Sequence, residues 1–281
     1  MKGLSLRRRL YDRGLRVLLI LSGILTCTLL VFLIGYVLLR GLGGITWEFL
    51  TTQRSLLRGT DGILPNILNT IYLIFFSMAV VLPVGVGAAI YLTEYAENRR
   101  VTAVIEFAAE TLSGIPSIIF GLVGMLFFVQ VLGFGYGILA GGLTLVVMIL
   151  PTIIRTTQES LRTVPQSYRE GALGLGAGKW HMIRTVVLPN AVDGIVTGCI
   201  LAVGRIVGES AALLFTAGMG SALHGFSQAL NTSSGTLSVA LYVYVNEYAD
   251  IGTALAIAAI LMLLTLCINA AAELAGRRLK R

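Results

Sequence analysis

The chain has 281 residues, of which 56% are hydrophobic and 12% charged, with a formal net charge of +7. Soluble domains carry roughly 25% charged residues, so this composition excludes a soluble enzyme and indicates one membrane domain in contact with the lipid bilayer. The positive balance does not mark a nucleic-acid binder, because no basic patch interleaved with aromatics accompanies it.

In chain order, residues 1–16 form a basic N-terminus with Arg7, Arg8, Arg9, Arg13 and Arg16, followed by the uncharged run Val17–Leu39. A helix needs about 20 apolar residues to cross the hydrocarbon. The run is too long for a signal-peptide core and no small-residue cleavage site follows it, so it is expected to be an uncleaved first transmembrane helix, residues 17–39. Five further spans are expected at Ile67–Leu92, Leu112–Leu132, Gly137–Ile154, Gly194–Ala217 and Ile251–Ala272. The fifth is the least apolar, carrying Arg205 and Glu209. Pro83, Pro116 and several glycines interrupt these runs, which a bundle tolerates when neighbouring helices satisfy the freed backbone groups. The loop Met219–Asp250 contains Leu237–Val245, too short to span and read as a lateral helix at the outer surface. Its His224 is expected to face solvent. Cys27, Cys199 and Cys267 lie singly in apolar runs, with no metal-ligand or disulfide spacing, and are expected to pack in the membrane.

Lys and Arg placement sets the orientation. Seventeen basic residues fall on the N-terminus, the loops after the second and fourth spans and the 277–281 tail; Arg40, Arg54 and Arg58 fall on the other side. Both termini are therefore expected in the cytoplasm.

That topology places Glu170–Pro189 in the cytoplasm, within the loop 155–189. As an ordinary inside loop, its cations would only enforce orientation. As a docking element, Pro165 ends the preceding segment and Ser167 caps a short helix with Glu170 three residues on. Gly174, Gly176 and Gly178 then break it, and a second helix, Lys179–Leu188, stops at Pro189. The string G-L-G-A-G-K-W is not a phosphate-binding loop, since Leu173 and Trp180 occupy positions that motif reserves for Gly and Ser or Thr.

Glu170, Gly171, Ala172, Gly176, Val186, Leu188 and Pro189 form E-G-A-x3-G-x9-V-x-L-P, which resembles the E-A-A-x3-G-x9-I-x-L-P signature of bacterial ABC-importer permeases. Gly171 and Val186 depart from it conservatively, and Gly171 costs the short helix about 1 kcal/mol relative to Ala. N-T-I-Y-L (Asn69–Leu73), A-A-I-Y-L-T-E-Y (Ala88–Tyr95), G-I-P-S-I-I-F-G (Gly114–Gly121) and R-I-V-G-E-S-A-A-L-L-F-T-A (Arg205–Ala217) resemble the A-type permeases of phosphate-specific importers. The likeness runs from about Gly62 to the C-terminus.

An ionisable group within a span costs about 2.5–3.5 kcal/mol or more. Arg205 is placed near the middle of the fifth span, with Glu209 at i+4 on the same face, where the two can pair. That pair is either a structural device or the lining of a pathway in which Arg205 draws in an anion and Glu209 restrains it. A planar guanidinium suits a tetrahedral oxyanion. Arg155, at the end of the fourth span after Pro151, reads alone as a snorkelling anchor; the resemblance implies a place in the transport path. Glu106, Asp193, Glu247 and Asp250 fall near span ends and are read as interfacial. No acid pair has the setting for general acid–base work.

The resemblance implies an all-α membrane protein of six transmembrane helices, with a type I ABC importer permease bundle over 62–276, a cytoplasmic coupling helix and both termini inside. It implies a bacterial inner-membrane subunit importing inorganic phosphate by alternating access. The implied partners are a second homologous permease, two cytoplasmic ATPase subunits that bind the ATP, and an extracytoplasmic phosphate-binding protein; this chain itself would bind no cofactor. Sulfate or molybdate as cargo, and a stand-alone secondary transporter or channel, are the competing readings. An intramembrane enzyme would need a Ser–His, paired-Asp or H-E-x-x-H set in the spans, and His181 and His224 lie in none.

Overall fold

The computed structural model describes residues 6–55 and 60–279, so Lys2, Arg58, Lys280 and Arg281 of the charge count lie outside it. Among the described residues, Tyr11–Gly44, Leu64–Tyr95, Ile138–Thr163, Lys179–Gly208 and Ile251–Leu274 are long and apolar enough to cross a membrane. The bent pair Arg99–Ser113 and Ser117–Val131 passes the same test of length and composition only when taken together, as a broken span or a re-entrant loop.

The elements run α1 (Leu6–Gly41), α2 (Trp47–Thr51), the antiparallel hairpin β1 (Gln53–Ser55) and β2 (Thr60–Ile63), α3 (Leu64–Ile90), α4 (Arg99–Ser113), α5 (Ser117–Gly124) and α6 (Ile138–Thr163). There follow α7 (Gln166–Gly174), α8 (Lys179–Met182), α9 (Leu188–Gly208), α10 (Ala211–Thr216), α11 (Phe226–Ala229), α12 (Leu237–Asn246) and α13 (Ile251–Leu279). Wider π turns extend α3 at Tyr91–Tyr95, extend α5 at Met125–Val131, and join α8 to α9 at Ile183–Val187.

The centre of the bundle is α6, packed between α3 and α9. Lipid gives helices no hydrophobic reason to associate, so small residues that let backbones approach do that work. Gly85 of α3 lies so close to α6 that an added Cβ would come within 2.6 Å of the Ile153 side chain. On α9, Gly198 and Gly194 meet Thr156 and Ser160 of α6 in the same way. Leu73, Val81, Leu145, Ile149, Ile153, Ala202 and Ile206 form the buried core at these contacts. By contrast α1 leans mainly on α13 and the turn between α1 and α2, leaving Leu19, Leu25, Val31 and Phe32 exposed to the surroundings.

Several spans differ from the sequence expectation because tertiary contacts break or extend them. The third does not run straight from Leu112. The chain bends by 102° between α4 and α5 at Gly114–Pro116, so Arg99–Ser113 and Ser117–Val131 do not form one straight helix. Proline caps α5 without donating a backbone bond, which suits a sharp corner. The fourth span continues past Ile154 to Thr163, so Arg155 sits within α6 rather than at its end. The fifth begins at Lys179 and ends at Gly208; the backbone at Glu209 is extended (φ −79°, ψ 121°), and α10 is a separate short helix. Finally, α12 is two-sided: Leu237, Val239, Ala240 and Val243 are buried against α13 and its neighbours, while Tyr242, Val245 and Asn246 are exposed. Cys27 and Cys267 are exposed on their helices, Cys199 is half-buried, and all three are unpaired. His224 is half-buried rather than solvent-facing.

Candidate functional site

Two places gather the residues singled out above, one at each end of the central helices. The first is the loop between α6 and α9. Its first helix begins at Gln166 on Pro165, so Ser167 lies inside the first turn and makes no cap. Glu170 and Gly171 are exposed, and α7 forms through Gly171 with nothing within 4 Å of where a side chain would be. The break after Gly174 is a left-handed turn at Gly176 (φ +84°), closed by Ala177 N–H donating to the Ala172 carbonyl at 3.1 Å. Only glycine adopts that φ without steric cost. At the tip Leu175 is 91% exposed, flanked by exposed Leu173 and Trp180.

Pro189 does not stop the second helix. It occupies the first turn of α9, where proline's missing N–H is tolerated, and the π turn before it keeps the chain helical. Leu188 is half-buried, Pro189 exposed, and Ala172 packs with Met182, Ile183 and Val187 onto Ala89, Ile90, Ile154 and Leu161. The loop is thus bonded to the ends of α3 and α6, while its tip is bare.

A residue that sequence reading passed over fixes this attachment. Arg169 donates through Nε and Nη2 to Glu94 Oε1 at 3.2 and 2.9 Å, and also to the carbonyls of Val164 (2.6 Å) and Leu161 (2.8 Å). Side-chain exposure is 12% for Arg169 and 7% for Glu94. The only sequence signal was Glu94 at the end of A-A-I-Y-L-T-E-Y.

The second place is the break between α9 and α10. Arg205 lies in the last turn of α9, where the helix C-terminus favours a cation, not in mid-span. The predicted pair with Glu209 is not formed. Once Glu209 leaves the helix, the i,i+4 geometry is lost, and its carboxylate turns back to accept from Ala212 N–H at 3.0 Å. Glu209 is 9% exposed, and its carbonyl accepts from Ser238 Oγ of α12 at 2.6 Å. Arg205 is half-buried and has no hydrogen-bond or ion-pair partner among the described residues. It shares its face with Leu201, 54% exposed, and Gly208, beside which nothing lies within 4 Å.

Arg155 is elsewhere. Thr156 is level with Gly198, about seven residues and about 10 Å before Arg205 along α9. The structure therefore does not bring the two arginines together. Arg155 pairs with Glu159 at 3.1 Å and lines a cavity of about 440 Å³ between α4 and α6. Glu106 and Arg162 line it too and pair at 3.0 Å, with Gln158 also donating to Glu106 at 3.2 Å.

Residues 81–281 match the family of binding-protein-dependent transport system inner membrane components. The chain belongs to that family. It is an ABC importer permease subunit, a multi-pass protein of the bacterial inner membrane. It is 36% identical over 284 residues to a "Probable ABC transporter permease protein YqgI" of Bacillus subtilis, covering 96% of this chain and 97% of that one. It is 33% identical over 237 residues to the "Phosphate transport system permease protein PstA 1" of Mycobacterium tuberculosis, covering 81% of this chain and 74% of that one. The type I importer fold is shared with a chain of the bacterial alginate ABC transporter crystallised with its alginate pentasaccharide-bound periplasmic protein. That match has a TM-score of 0.67 at 16% identity and covers 97% of this chain and 99% of that chain.

In the permease, the four resembling motifs sit where helices break or are held. Asn66 and Asn69 donate to the Gly235 carbonyl at 2.9 and 3.2 Å, and Thr70 Oγ1 accepts from Leu237 N–H at 2.9 Å, so N-T-I-Y-L holds the start of α12. The Gly114–Gly121 motif makes the 102° corner and brings Gly121 against Ala212 of α10. Ala88–Tyr95 ends in the π turn that meets the α6–α9 loop, and Arg205–Ala217 spans the break itself. Asn66, Thr70, Ser238 and Leu175 were not flagged by sequence; only the motif containing Thr70 offered a signal.

Proposed function

We propose that the permease imports inorganic phosphate as one half of a translocation path, with a second homologous permease subunit, two cytoplasmic ATPase subunits and an extracytoplasmic phosphate-binding protein. Both termini and the α6–α9 loop face the cytoplasm in this reading, as the excess of basic residues on that side favours. The carrying observation is Arg205: a half-buried guanidinium at the end of an apolar span, with no partner among the described residues. An unpaired charge in that setting is expensive, and an oxyanion passing the open Leu201–Gly208 face relieves it through bidentate hydrogen bonds. Relatives named for phosphate transport favour that oxyanion over sulfate or molybdate.

Within this reading Arg155 is a second, weaker anion contact about 10 Å nearer the cytoplasm, lining the cavity beside α4. Glu209 acts differently from a restraint on Arg205: it holds the break that separates α9 from α10. Glu170, Gly171, Ala172 and Gly176 present the bare tip, with Leu175, to an ATPase subunit, while Leu188 and Pro189 lead the movement into α9. ATP-driven closure of the ATPase pair then exposes the Arg205 face alternately to the two sides.

The test is radiolabelled phosphate uptake by the reconstituted complex. Arg205→Gln should reduce uptake to background with the complex intact, and excess sulfate or molybdate should leave wild-type uptake unchanged; surviving uptake in the variant, or competition by those anions, overturns the assignment. Gly176→Pro forbids the positive φ and should abolish capture of the ATPase subunits; undiminished capture overturns the docking role.

A further inference from the structure

The loop that meets the ATPase must hand its displacement to the spans, and the geometry singles out one gripping point. We propose that the π turn Tyr91–Tyr95 at the end of α3 is the clamp that transmits the loop's movement, with Glu94 and Arg169 as its positioning residues. The inference rests on the docking role assigned above to the α6–α9 loop.

Adjacent helical side chains diverge by roughly a quarter-turn around the axis, so neighbouring residues can hold two different elements. Glu94 takes α7 through the Arg169 guanidinium at 2.9 Å. Tyr95 takes α8, the Lys179 ammonium lying 4.9 Å from its ring centroid. The two grips therefore fall on either side of the glycine break at Gly176. A flexible break alone would let α7 and α8 move separately; fastened to one turn, they move together.

The Arg169 end is also tied to a second span. Its bonds to the carbonyls of Leu161 and Val164 occupy the end of α6, the helix that carries Arg155 and packs against α9. One guanidinium thus joins α7, α3 and α6, and both members of its ion pair with Glu94 are largely shielded from water. Shielding matters, because an exposed pair is screened and exchanges partners, whereas a buried one keeps its geometry. The π turn itself, closed by Ala96 N–H donating to the Tyr91 carbonyl at 2.9 Å, widens the helix where it must reach both helices; π turns recur at such working positions.

The test uses the complete reconstituted transporter and reads phosphate moved per ATP hydrolysed. Arg169→Glu and Glu94→Arg should each lower that ratio at least 10-fold while the ATPase subunits still co-purify, and the double exchange should restore it only in part, because a carboxylate at position 169 cannot donate to the Leu161 and Val164 carbonyls. An unchanged ratio in the single variants overturns the proposal. Loss of ATPase co-purification in Arg169→Glu overturns it too, making Arg169 part of the docking surface. Failure of the docking role itself is read separately, from undiminished ATPase capture by Gly176→Pro.

Discussion

Arg169 and Arg205 lie near opposite ends of the permease's central helices, yet one donates to a carboxylate and two carbonyls and the other has no acceptor among the described residues. The first sits where α7 meets the ends of α3 and α6; the second sits on the open face of α9. A guanidinium held by a carboxylate and two carbonyls fixes three elements in place. A guanidinium left without a partner at a helix end is available to a passing anion. The same side chain thus serves connection in one place and recognition in the other, decided by whether the fold supplies the acceptors.

The contrast fails or sharpens under substitution, taken by the expected effect on stability. Arg169→Ala leaves Glu94 buried and unpaired, which should cost about 3–5 kcal/mol, measured by thermal unfolding of the purified permease in nanodiscs. A cost below about 1 kcal/mol would put this pair in the class of exposed pairs and erase the distinction. Glu209→Ala removes the carboxylate holding the first turn of α10 and should cost about 1 kcal/mol. If Glu209 instead served Arg205, a double-mutant cycle with Arg205→Gln would show coupling; the expected coupling is below about 0.5 kcal/mol.

Asp250, half-buried at the start of α13, provides a carboxylate of a third kind. Hydrogen bonds from the Thr253 side chain and from its backbone N–H, the latter at 3.1 Å, hold its carboxyl below the usual carboxylate range. Because the folded-state pKa is depressed, its contribution is present above the unfolded value of about 3.9 and fades as pH falls through the folded one. Asp250→Ala should therefore cost no more than about 1 kcal/mol at neutral pH, the difference from wild type closing in acid unfolding scans. Smallest of all in cost, Arg205→Gln should cost no stability, because it removes an unpaired charge from an unfavourable setting, while removing phosphate uptake. A large loss of stability would show that Arg205 is built into the fold after all.

Much of the architecture was legible because the signals are local. Apolar length alone located α1, α3 and α13, and Leu237–Val245 was recognised as a run too short to span, observed as α12 (Leu237–Asn246). Glycine spacing located the turn at Gly176, whose positive φ is a property of the residue itself. What misled was the assumption that an apolar run is one straight helix. Nothing in Arg205–Ala217 announces that Glu209 leaves the helix, because the contacts that hold it there, Ser238 and the packing of α10 on α5, come from distant parts of the chain. Pro189 misled in the opposite direction: proline stops a helix in isolation but fits the first turn of one, and the π turn before it is set by packing.

The sequence by itself determined that this is a multi-span membrane protein, which segments are apolar enough to cross, and that the loop from Glu170 to Pro189 carries a permease signature. Composition and short motifs suffice for that, since crossing length and turn chemistry depend on neighbouring residues. Only the tertiary structure decided which charges are spent and which are free. Glu94 meets Arg169 across 75 residues, and Arg205 misses Glu209 four residues away, because partner and distance are set by how the helices break and pack.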